Sequence, residues 1–216
     1  MSSTKRGGQR TPADAYPTPP WCVHRLLDRV TLPSGLWYEP CAGDGAIVQV
    51  VNSRLPNVAW ALNELRSEMD ETLRRLEPMA PVSVGDILDP ETPLPPRDKT
   101  VCIITNPPYR IAWELLHKML REFPNSYIVL LLRVNFIASK GRHGFMSQYM
   151  PDVYVLPNRP GFKAWGKTDS PEYGWFVWKP WPRARARGLI ELLDLTSVEE
   201  RKRVADAATV YSESGR

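Results

Sequence analysis

The sequence predicts an α/β fold: a mostly parallel sheet of seven strands with helices on both faces and an antiparallel last strand. Three observations carry this. Short runs rich in aromatic and branched residues, at 36–40, 58–64, 81–85, 101–105 and 127–134, alternate with stretches of helical period. Two of them, Val101-Cys102-Ile103-Ile104-Thr105 and residues 127–134, are apolar almost throughout, as strands buried on both faces are. The first strand runs into a glycine turn, Cys41-Ala42-Gly43-Asp44-Gly45, and then a helix beginning Ala46-Ile47-Val48, the order of a nucleotide-type binding unit.

Composition limits the alternatives. The chain has 216 residues, 43% of them apolar, enough for one domain with a full core. Lys and Arg number 28 against 24 Asp and Glu, for a net charge of +4. The isoelectric point near 9.0 permits a nucleic-acid partner without demanding one. Cys22, Cys41 and Cys102 are far apart and have no metal-ligand spacing, so no metal is expected. Three scattered thiols read as reduced cysteines in a cytoplasmic protein. No apolar run approaches the roughly 20 residues of a membrane span, and no apolar signal region opens the chain.

In chain order, residues 1–14 read as a basic arm, in which Lys5, Arg6 and Arg10 are solvated or touch phosphate. Residues 15–182 form the expected main domain. Tyr16-Pro17-Thr18-Pro19-Pro20 leads into a helix at Trp21-Cys22-Val23, with Thr18 as its N-cap and Pro19 in its first turn. After the first strand, Gly43 and Gly45 let backbone approach a ligand closely. Glu39 and Asp44 disfavour a pyrophosphate at that turn and favour an ammonium or sulfonium. Glu64 ends the second strand, where a carboxylate commonly accepts the ribose hydroxyls of an adenosine cofactor. Asp86 and Ile87 end the third strand, placed to bond an adenine amine and to pack on its ring.

The fourth strand ends in Asn106-Pro107-Pro108-Tyr109, and a helix follows over 111–123. Two prolines stiffen this corner and remove two N–H donors. It is left with acceptors, the Asn106 side-chain oxygen and the Pro107 carbonyl, beside the flat ring of Tyr109. That combination suits a planar group bearing an NH2. Further on, residues 135–148 form a basic loop with Lys140 and Arg142. Residues 153–156 and 173–178 are the last two strands. The loop between them carries Arg159, Phe162, Lys163, Trp165 and Lys167. Interleaved basic and aromatic residues suit an extruded base, and equally a hairpin whose rings cover the core. The segment 183–216 holds a basic run, Arg183, Arg185 and Arg187, and a final helix opened by a Ser197/Glu200 capping box.

Together these motifs resemble the Rossmann-like class I S-adenosylmethionine-dependent methyltransferases, and among them the DNA N6-adenine methyltransferases of the Asn-Pro-Pro-Tyr type. The resemblance covers roughly residues 16–178. It implies S-adenosylmethionine as cofactor, held by Tyr16, Thr18, Glu39, Cys41, Ala42, Gly43, Asp44, Gly45, Glu64, Asp86, Ile87 and Asn106. Asn106, Pro107, Pro108 and Tyr109 are the implied catalytic motif. Tyr109, Phe162, Arg142 and Lys163 are the implied contacts to substrate. DNA is the implied partner, with its target adenine flipped out of the duplex. N4 of cytosine, an RNA adenine or a protein glutamine amide presents the same planar amine, and a non-catalytic binding module also remains open. No separate target-recognition domain is expected after residue 182, so selectivity falls to the loops around Lys140 and Phe162. The oligomeric state is not legible.

Overall fold

The computed structural model describes residues 17–162, 170–180 and 188–213, with side chains up to residue 207. Tyr16, Lys163, Trp165, Lys167, Arg183, Arg185, Arg187 and the 1–14 arm lie outside the described residues.

The elements alternate as the pattern predicts. Helix α1 (Pro20–Arg29) precedes β1 (Gly35–Glu39), α2 (Ala46–Arg54), β2 (Val58–Glu64), α3 (Asp70–Leu76) and β3 (Val82–Val84). Then come β4 (Thr100–Thr105), α4 (Ala112–Glu122), β5 (Tyr127–Arg133), β6 (Asp152–Leu156) and β7 (Tyr173–Trp178). The basic loop after β5 is not a plain loop: it folds into 3-10 turns and one short helix, α5 (His143–Met146). Beyond the seven expected strands stands an eighth, β8 (Ile190–Leu192), and then α6 (Val198–Glu213). The sheet order is β3-β2-β1-β4-β5-β7-β6-β8. Among the described strands only β7 runs against the rest: it pairs antiparallel with β5 and β6, and every other pairing is parallel. The short apolar segment at 189–195 has no strand period of its own and pairs with β6 over three residues. It becomes a strand because β6 would otherwise be an unpaired edge.

Alternation along each strand builds two cores. Trp37, Cys102, Ile104, Val129, Trp175 and Val177 face α1, α2 and Leu73 of α3. Their neighbours Tyr38, Ile103, Ile128, Leu130, Phe176 and Trp178 face α4 and Met146. Thus β1, β4, β5 and β7 each feed both layers, which is why their central residues are apolar on both faces. The parallel strands β1 to β4 all point their carboxyl ends to one edge.

The first helix begins one residue later than expected. Pro19 occupies the cap position of α1, and no side chain caps it. Thr18, expected there, is 4% exposed and turns instead toward the carboxyl end of β4.

Candidate active site

Gly43 (φ +59°) and Gly45 (φ +82°) carry the chain over the end of β1 in left-handed backbone, which side chains other than glycine rarely adopt. A Cβ on Gly45 would stand 2.3 Å from Leu76 Cδ2, so a larger residue there would make that leucine side chain move. The Gly45 N–H donates to the Ala42 carbonyl at 2.9 Å, and the Asp44 carboxylate accepts from the N–H of Ala46 at 3.2 Å. The turn is further tied to β2: Ala42 N–H donates to the Asn63 carbonyl, and Gly43 N–H to Glu64 Oε2 at 2.7 Å.

Asn63 went unremarked in the sequence, yet it organises two of the loops. Its buried amide donates to the carbonyls of Pro40 (3.0 Å) and Gly85 (3.2 Å) and accepts from the Ser83 hydroxyl (2.9 Å). The ends of β1, β2 and β3 are thereby held in one frame. Past β3, Asp86 accepts from the Leu88 N–H at 3.0 Å, and the Asp86 carbonyl accepts from Thr92 Oγ1 at 2.6 Å. Lys118 of α4 reaches under this loop and donates to the carbonyls of Ile87 (2.7 Å) and Asp89 (2.9 Å). Burial lowers the pKa of its ammonium.

These loops surround a cleft of about 580 Å³ at the carboxyl edge of the sheet. Thr18, Glu39, Cys41, Ala42, Gly43 and Asp44 line it from the first side, and Glu64, Asp86 and Ile87 from the next two strands. The tetrapeptide Asn106 to Tyr109 closes the third side. Gly45 lies just outside and supports the turn. Pro17, Asn63, Leu65, Arg66, Met69 and Arg110 also line the cleft and were not singled out beforehand. Arg66 alone had a legible signal: it stands two residues beyond Glu64, the spacing that returns a side chain to the same side of an extended chain.

The charge in the cleft is unusual. Glu39 is 2% exposed, and among the described residues its Oε2 has no hydrogen-bond partner. Burial first, and then the charges of Asp44 and Glu64, hold its carboxyl well above the ordinary carboxylate range. Burial, with Glu64 and Glu39 next, likewise pushes the Cys41 thiol up. Glu64 is also buried, but the guanidinium of Arg66 meets it at 2.8 Å. A buried carboxyl with one oxygen unpartnered, beside a glycine turn, fits a cationic ligand group better than a phosphate.

At the third side, the Asn106 amide donates to Thr18 Oγ1 at 3.2 Å, and the Tyr109 hydroxyl donates to Asn106 Oδ1 at 3.3 Å. Thr18 therefore links the chain before α1 to the tetrapeptide, 88 residues apart. The Tyr109 ring is half-buried, with Tyr173 at 5.6 Å and the guanidinium carbon of Arg133 at 4.9 Å from its centroid.

Two expected substrate residues stand elsewhere. Phe162 is 7% exposed and packs edge-on against Tyr173, 5.1 Å away, one ring removed from Tyr109 and off the cleft wall. Arg142 lies over the ring of Phe136 at 4.2 Å and donates to the Phe136 carbonyl at 2.8 Å, pinning the loop after β5 to Trp113 of α4. Among the described residues no group of His, Cys, Asp and Glu could hold a metal ion, and no helix is long and apolar enough to cross a membrane.

No family model and no curated protein matches the chain. Its likeness to solved structures is one of fold. A type I restriction-modification system methyltransferase subunit from Streptococcus thermophilus superposes with a TM-score of 0.63 at 15% identity, over 93% of this chain and 53% of that one. The present chain thus spans about half the length of that subunit. A predicted O-methyltransferase from Agrobacterium tumefaciens gives 0.58 at 18% identity, over 86% and 95% of the two chains. A dimethyladenosine transferase from Plasmodium falciparum gives 0.57 at 15% identity, over 76% and 63%. With the strand order, the single reversed strand and the cleft at the carboxyl edge, these likenesses establish that the chain has the Rossmann-like fold of class I methyltransferases.

Proposed function

We propose that the protein transfers a methyl group from S-adenosylmethionine to the exocyclic N6 amine of an adenine in DNA. The observation that carries this reading is the joining, in one cleft, of the glycine turn and its carboxylates with the Asn106–Tyr109 corner, through the Asn106–Thr18 hydrogen bond. Two of the likenesses are in keeping with it: a methyltransferase subunit of a restriction-modification system and a dimethyladenosine transferase.

The residues fit the cofactor. The volume lies within the usual range for a small-molecule site. In this reading Glu64 would accept the ribose hydroxyls, Asp86 and Ile87 would hold the adenine ring, and Glu39, Asp44 and Thr18 would surround the methionine part. When bound, S-adenosylmethionine supplies an electrophilic methyl on a cationic sulfur. The protein's own work is placement. Asn106 Oδ1 and the Pro107 carbonyl accept the two N–H bonds of the incoming amine and turn its lone pair outward, the Asn106 oxygen exchanging its long contact from the Tyr109 hydroxyl. The Tyr109 ring carries the base, a stacking contact worth about 1–3 kcal/mol. No general base is needed before attack, because the amine proton becomes acidic only as the N–C bond forms. Most of the acceleration is positioning and exclusion of water. Inside a duplex N6 is out of reach, so the target base is extruded.

The test is a labelled-methyl assay with the full chain on duplex DNA, on RNA and on a glutamine-containing protein, followed by digestion of methylated DNA to nucleosides. N6-methyladenine is the expected product. Label on N4 of cytosine, on RNA or on the protein would move the acceptor but keep the chemistry. Cofactor binding without transfer to any of them would leave a binding module.

A further inference from the structure

Glu64 is fully engaged on one side before any ligand enters. Its Oε1 accepts from the backbone N–H of Arg66 at 3.1 Å and from Arg66 Nε at 2.8 Å, and its Oε2 accepts from Gly43 N–H at 2.7 Å. A carboxylate offers about four lone-pair sites. Three are taken, and a ribose diol brings two more donors, so one of the present bonds must yield. Two of the three are backbone N–H groups fixed by the end of β2 and by the glycine turn. The third belongs to a long side chain on the cleft wall, itself only 15% exposed.

We propose that the Arg66 side chain is the placeholder of the cofactor site: it neutralises Glu64 while the cleft is empty and leaves Oε1 when ribose hydroxyls arrive. This rests on reading the cleft as an adenosine-cofactor site. The physical reason is the cost of a lone buried charge. Glu64 is 6% exposed, and without a cation it would sit ionised beside Asp44 and buried Glu39, a situation that is strongly unfavourable. The pairing protects the empty protein at the expense of affinity, since entry of the cofactor must first break it. Arg66 is therefore a positioning residue that sets how tightly the cofactor is held.

Arg66→Met retains the aliphatic stem and removes the competing donor. Calorimetric titration of the full chain with S-adenosylmethionine and with S-adenosylhomocysteine is expected to show tighter binding by the variant, by about fivefold or more, since the pair that must open is largely buried. The empty variant is expected to melt below the parent, and saturating S-adenosylhomocysteine to narrow that gap. A merely structural arginine would lower both melting points alike and leave affinity unchanged or weaker; that outcome, with the parent still binding, would overturn the placeholder role alone. Failure of the parent itself to bind either compound would overturn the cofactor reading and this inference together.

Discussion

Asn106 shows how much chemistry one side chain holds in this cleft. Its amide nitrogen donates to Thr18, and its oxygen accepts from the Tyr109 hydroxyl. Asn106→Ala and Tyr109→Ala are each expected to abolish methyl transfer, with S-adenosylmethionine affinity, read by calorimetry, nearly unchanged in Tyr109→Ala; loss of affinity there would assign the Tyr109 ring to the cofactor. Glu64→Ala is expected to do the reverse. Glu39 makes a pH prediction. Its folded-state pKa is raised by burial above its unfolded value. Its contribution to stability is thus present below the ordinary carboxylate pKa and lost as pH rises through the higher folded value. Glu39→Gln should therefore raise the melting temperature relative to the parent more at pH 8 than at pH 5, by about 2–4 °C for each kcal/mol recovered. A cationic ligand group at Glu39 would favour its ionised form, so S-adenosylmethionine binding should release protons, seen as a buffer-dependent heat.

At the scale of elements, the loops are tied to one another more than to their own strands. Lys118 belongs to the helix that follows the tetrapeptide, yet it holds the loop after β3 by two carbonyls. Lys118→Met should raise KM for S-adenosylmethionine about tenfold or more with little change in kcat, since each of these charge-assisted bonds is worth roughly 1.5–3 kcal/mol; steady-state kinetics at varied cofactor reads the split. Gly45→Ala meets both a left-handed backbone and Leu76, and should cost about 1–3 kcal/mol in denaturant unfolding. Helix and strand positions in this region were legible because each has a clear period. The side of the loop after β5 was not. Arg142 is expected at the substrate from its basic loop, but a guanidinium is also a flat surface, and it lies over the rings of Trp113 and Phe136.

Across the whole molecule, the sheet brings together four strand ends that lie far apart in the chain, and the segment after residue 188 completes its far edge. Arg25 of α1 anchors that segment: it donates to Thr196 Oγ1, to the Leu195 carbonyl and to Glu200, whose N–H in turn is capped by Ser197. Arg25→Ala should lower global stability by about 1–3 kcal/mol and speed hydrogen exchange in α6, read by mass spectrometry. The capping box had marked the start of α6, but nothing local revealed that Glu200 would turn from the cap to Arg25, because that partner is 175 residues away.

Local chemistry thus decided the strands, the glycine turn, the acidic strand ends and the proline-stiffened corner, since period, backbone freedom and donor count are properties of a few adjacent residues. Folding in three dimensions decided which of these meet. Thr18 left its helix to hold Asn106, Asn63 and Lys118 joined separate loops, and Arg66 filled Glu64. Phe162 packs into the core, one of the two readings its loop offered, and a single ring in a loop carries no periodicity to choose between them.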